Sequence, residues 1–127
     1  MRLRAGGDLV SALEEMVRAL RDVAQAEAVA VINRDGAVVA ASLPASVSQE
    51  TFSIMCAAIL GAGMTAATEF RHAAPHRVIL ESKDTTILIQ EIGRRAMLVL
   101  VVSPERTLES LSTALSRFAQ AAEKELG

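Results

Sequence analysis

His72 and His76 stand four residues apart, a spacing at which two imidazoles on one helix can share a metal ion. Pro75 lies between them and should break any helix there, and no third ligand is near in sequence. They read as two histidines in a solvated helix–strand loop, and no metal site is expected. Cys56 has no histidine close in sequence to act as its base, so it reads as a small buried hydrophobe. Glu14-Glu15 and Glu123/Glu125 fall in amphipathic segments and read as solvated faces, not acid/base pairs. Arg94-Arg95 sits in a turn, where it solubilises the chain or meets a phosphate or a partner. Asp35-Gly36 is sufficiently explained as a turn device. No P-loop, GxGxxG or HExxH sequence occurs. No catalytic residue and no cofactor are therefore expected, and the chain does not read as an enzyme.

Composition narrows the classes further. The 127 residues suit one domain spanning 1–127, with an ordered core over about 8–126. They are 51% apolar and 22% charged, which is a globular balance. Aromatics are 2%, with three Phe and neither Tyr nor Trp, so bases would find almost nothing to stack on. Thirteen basic against fifteen acidic residues give −2, with no basic block, and nucleic-acid binding is not expected. One cysteine allows no internal disulfide and suits a reducing compartment. Met1–Gly7 has no apolar signal core, and the longest purely apolar run, Ala96–Val102, is too short to span a bilayer. The expectation is a cytoplasmic protein without membrane insertion.

The elements that would position any site follow from hydrophobic periods. Asp8 can cap a helix whose stripe is Leu9, Leu13, Met16, Leu20 and Val23, ending near Gln25. Ala28–Ile32, continuing to Asn33, and Ala37–Ser42 are strands joined by the Asp35-Gly36 hairpin, both of whose residues tolerate positive φ. Ser48 caps a helix over Thr51 to about Phe70. Arg77–Ser82, Thr86–Ile92 and Ala96–Val102 are strands with tight turns at Lys83-Asp84 and Gly93-Arg94. Ala96–Val102 lacks polar alternation, so it is a central strand covered on both faces, or covered on one and packed at an interface on the other, with edge strands expected on either side. Ser103-Pro104 starts a last helix with the stripe Leu108, Leu111, Leu115, Phe118, Ala122 and Leu126. The order α-β-β-α-β-β-β-α makes an α+β sandwich.

One segment is anomalous. Ala57, Ala58, Gly61, Ala62, Gly63, Thr65, Ala66 and Ala67 crowd a single helix, although each interior glycine costs roughly 1 kcal/mol relative to alanine. Small residues in the rows Ala57-Gly61-Thr65 and Ala58-Ala62-Ala66 let another backbone approach closely. Either the helix packs tightly on its own sheet, or two copies cross about a two-fold axis. The second reading is the one we carry, because one sheet face rarely needs so long a small-residue stretch, and Arg77–Ser82, which reads as an edge strand that needs covering or pairing, adds to it. The expected dimer interface is Ala57, Ala58, Gly61, Ala62, Thr65, Arg77, Ile79 and Glu81.

Over about Asp8 to Leu126 the chain resembles the Roadblock/LC7, or MglB-like, family in its prokaryotic form. Glu27–Ser42 looks like the family's first hairpin, and Phe52–Phe70 like its small-residue central helix. Arg77–Val102 is similar to its three-strand meander, with the charged Glu81-Ser82-Lys83-Asp84 turn and Gly93 before the last strand. The resemblance implies a five-stranded antiparallel sheet in a profilin-like arrangement. The central helix would lie on one face and the terminal helices on the other. It implies dimers, with itself or a paralogue, through the central helix and third strand. It also implies non-catalytic regulation or scaffolding of a small Ras-like GTPase, with no catalytic residue to transfer. A small-molecule sensor of similar layout and a structural subunit of a larger complex are the alternatives. The sensor would need convergent polar groups on inner faces that read as aliphatic.

Overall fold

The computed structural model describes residues 6–126, with side chains from residue 11 onward. The elements run α1 (Gly6–Ala24), β1 (Ala28–Asn33), β2 (Val38–Ser42), α2 (Gln49–Glu69), β3 (Arg77–Glu81), β4 (Thr86–Ile92), β5 (Ala96–Val102) and α3 (Leu108–Leu126). The strands form one antiparallel sheet in the order β2-β1-β5-β4-β3. β5 is central, as its apolar run predicts. Its neighbours β1 and β4 are not edges, however; each carries one further strand, so the edges are β2 and β3.

Each face of the sheet closes its own core. On one face Val29, Val31, Leu88, Ile92, Leu98, Leu100 and Val102 pack under α1 and α3. On the other, Ala30, Ile32, Ile89, Met97 and Val99 meet Cys56 and Leu60 of α2. This explains why β5 has no polar residue: successive side chains enter opposite cores.

Several local expectations shift. α1 already includes Gly6, so Asp8 lies inside the helix and does not cap it. The α1 residues buried in the core are Leu13, Val17, Leu20 and Ala24; Val23 is 65% exposed and Leu9 lies outside the described side chains. Val23 instead borders an apolar groove of about 290 Å³ between α1 and α3. Only Gly36 of the first hairpin has positive φ (+95°), while the Asp35 carboxylate accepts the Ala37 N–H at 2.9 Å. Gly36 is also a close approach: a Cβ there would sit 3.2 Å from Ile54 Cγ1 and 3.3 Å from Ile54 Cα. Ser48 caps α2 as expected, accepting the Thr51 N–H at 3.3 Å.

α3 does not start at Ser103-Pro104. The Ser103 hydroxyl accepts the Glu105 N–H, and its carbonyl accepts the Arg106 N–H, which closes a turn. Thr107 then caps the helix, its Oγ1 accepting the Ser110 N–H at 3.1 Å. From there Leu111, Leu115, Phe118 and Ala122 are buried in the anticipated stripe.

Candidate self-association surface

α2 is seated on the sheet by one face. Ser53, Cys56 and Leu60 are buried, and Phe52, Ala57, Ile59 and Met64 pack half-buried against the same core. The Ser53 hydroxyl donates to the Glu50 carbonyl, so the single buried polar side chain among the described core residues is satisfied within the helix. Burial pushes the Cys56 thiol up to about 11. Its neutral form is favoured in the fold, so the stabilisation is full below about 9 and is lost as pH rises towards about 11. Cys56 in the native protein should therefore react with a disulfide reagent at pH 8 far more slowly than after denaturation in urea. Equal rates in the two states would contradict this burial.

The opposite face of α2 is open. Ala58, Gly61, Ala62, Thr65 and Ala66 are exposed, and the same face begins with Ile54 at 44% and Met55 at 52% exposure. α2 is also long and apolar enough, by length and composition, to cross a bilayer, which inspection of the Ala96–Val102 run alone overlooks. The two glycines have different surroundings. A Cβ on Gly63 would lie 3.4 Å from Val78 Cγ2, an ordinary van der Waals contact, so Gly63 faces the chain's own sheet. A Cβ on Gly61 would meet nothing within 4 Å. Among the expected interface residues, Ala58, Gly61, Ala62 and Thr65 thus share the outer stripe, whereas Ala57 is turned partly into the core.

The β3 residues lie elsewhere. Ile79 stands opposite Leu88, which belongs to the core under α1 and α3. By alternation Arg77, Ile79 and Glu81 share that sheet face, and Val78 and Leu80 share the α2 face. Arg77 donates from Nε and Nη2 to Gln90 Oε1 at 3.0 and 2.8 Å. The structure therefore does not gather all eight expected residues on one face; it places them on either side of one sheet edge. Ile54, Met55 and Leu80, the last 37% exposed, extend the surface beyond the residues expected from sequence. A signal for Ile54 was present, since it heads the i, i+4 row that continues through Ala58 and Ala62.

The residues considered for chemistry are scattered. His72 and His76 are exposed in the segment after α2, and among the described residues no group of three or more His, Cys, Asp or Glu could hold a metal ion. Arg94 and Arg95 are exposed in the β4–β5 turn and border two clefts of about 320 and 460 Å³. Arg34 pairs with Glu91 and points its Nη1 at Met64 Sδ, tying the first hairpin turn to β4 and α2.

Comparison with known proteins settles the family. Residues 12–102 match the model of the Roadblock/LC7 domain. The chain belongs to the Roadblock/LC7 family. Myxococcus xanthus MglB superposes with a TM-score of 0.83 at 13% identity, over 90% of this chain and 94% of that one. An MglB with tetrameric arrangement gives 0.84 at 20% identity, over 97% and 92%. Acanthamoeba castellanii profilin II gives 0.64 at 16% identity, over 90% and 98%. At these identities the likeness is one of fold, and it includes the profilin-like layout. The search of curated proteins finds no match.

Proposed function

We propose that the whole chain, residues 1–127, is one Roadblock/LC7 domain that acts in the cytoplasm as a homodimeric, non-catalytic regulator or scaffold of a small Ras-like GTPase. The observation that carries the dimer is the outer face of α2, a run of small and apolar side chains beside an unpaired sheet edge. Ala58, Gly61, Ala62 and Thr65 would meet their mates across a two-fold axis. The backbone of Arg77, Ile79 and Glu81 would pair along β3, and Ala57 would act from the inner shoulder of the helix. An MglB relative with a tetrameric arrangement supports self-association as a habit of this fold. Family membership supports the regulatory role, because Roadblock/LC7 domains are generally regulatory and non-catalytic. A regulator without catalytic groups works by binding one nucleotide state of its GTPase better than the other and shifting the population.

The test is capture from native lysate on the immobilised protein, with GDP and with a non-hydrolysable GTP analogue in parallel. Enrichment of a Ras-like GTPase in one nucleotide state is the expected result. Equal enrichment in both would make the protein a scaffold. Absence of any GTPase from both would overturn the GTPase reading.

A further inference from the structure

The edge of β3 carries a pairing code. Glu91 N–H donates to the His76 carbonyl, and Ser82 N–H donates to the Thr85 carbonyl, both at 2.9 Å. These two pairs extend the β3–β4 register at either end of Arg77↔Gln90 through Glu81↔Thr86. In an antiparallel ladder, bonded and non-bonded pairs alternate. His76, Val78, Leu80 and Ser82 therefore turn their backbone groups to β4. Arg77, Ile79 and Glu81 turn theirs outward along the open edge. Any strand that adds to this edge must bond to those three residues.

We infer that β3 selects a second copy of this chain in one antiparallel register, centred on Ile79, in which Arg77 of each copy faces Glu81 of the other. This rests on the dimer reading above and adds its specificity. Charge decides between registers. Centring on Arg77 would set arginine against arginine, and centring on Glu81 would set glutamate against glutamate. Centring on Leu80 would set Arg77 against Lys83 of the second copy. Like charges directly opposite are destabilising, and opposite charges are favourable. A strand centred on Val78 would leave Arg77 facing Ile79 and gain no ion pair. Only the Ile79-centred register bonds all three outward residues and matches both charges.

Two features of the protomer fit this pairing. Gln90 holds the Arg77 guanidinium by Nε and Nη2, which leaves Nη1 for a carboxylate. Glu81 is exposed and, among the described residues, has no ion-pair partner; Arg106 borders the same cleft. On the opposite sheet face the register sets Leu80 against Val78 of the second copy, beside α2. On one face of the extended sheet the two ionic contacts thus flank an Ile79–Ile79 contact, and on the other Val78 and Leu80 meet. Such a code also discriminates, because a paralogue pairs well only if it carries matching charges at both positions.

Charge reversal tests this directly, read by sedimentation equilibrium and by native mass spectrometry of mass-tagged mixtures. Arg77→Glu and Glu81→Arg, each alone, should weaken self-association about tenfold, since each sets two like-charge pairs across the axis. Mixing the two variants should restore a heterodimer close to wild-type affinity, and the double variant should restore the homodimer. Arg77→Gln mixed with Glu81→Gln should recover one of the two ion pairs and show a partial rescue. Rescue on mixing that is graded, two pairs restored by the reversed charges and one by the neutral variants, cannot come from folding defects of the single variants. A wild-type dimer indifferent to both reversals overturns the register while leaving the dimer standing. A wild-type monomer overturns both.

Discussion

Gly61→Arg is expected to leave the protomer folded and to abolish its self-association. A Cβ at position 61 meets no atom within 4 Å, so the protomer has room for the side chain. Interior helical glycine costs about 1 kcal/mol relative to alanine, and arginine is a good helix former, so the isolated helix should gain slightly. In the proposed dimer the same position lies where two backbones approach, and a long cation there would hold the helices apart. Light scattering should show the mass fall to that of one chain while the far-ultraviolet circular dichroism is unchanged. Gly63 faces the chain's own sheet, where a Cβ would touch Val78 Cγ2 at the ordinary contact distance of 3.4 Å, so Gly63→Ala should leave both the fold and the self-association unchanged. If Gly61→Arg remains a dimer at micromolar concentration, the outer face of α2 is not the seam.

The order of elements was legible in the sequence because periods of two and 3.6 residues are local and the Asp35-Gly36, Gly93 and Ser48 signals sit where turns and a cap occur. What was not legible depends on distant partners. In α1 the adjacent pairs Met16-Val17 and Val23-Ala24 fit a stripe in either of two phases. The sheet and α3 choose Val17 and Ala24 for the core. Before α3, Ser103 and Thr107 are both competent caps, and the turn closed by Ser103 passes the helix start to Thr107. The candidate surface divides in the same way. The small residues on α2 could be read directly, but their sorting into Gly63 inward and Gly61 outward could not. The direction of the Arg77, Ile79 and Glu81 backbone groups is fixed by the β3–β4 register, which pairs residues across a turn and has no local signature.

Leu98→Ala should be among the most damaging of the conservative core truncations, since it empties the centre of the core under α1 and α3. Leu98 is fully buried in the middle of β5, between Val31 on β1 and Gln90 on β4, and it faces α1 and α3. Truncating such a leucine removes its transfer free energy and leaves a cavity, for a cost of about 2–5 kcal/mol. For a domain this size that is a large share of a total stability of about 5–15 kcal/mol. Urea titration should show the midpoint fall with little change in slope, because the surface exposed on unfolding is nearly unchanged. Self-association adds to apparent stability by mass action, so wild type and variant must be compared at one protein concentration. Ile79→Ala separates the two contributions. Ile79 is 42% exposed in the protomer, so its loss should cost the isolated chain little and show mainly as a weaker concentration dependence of unfolding. A cost for Leu98→Ala below about 1 kcal/mol would mean that the α1–α3 core does not close over β5.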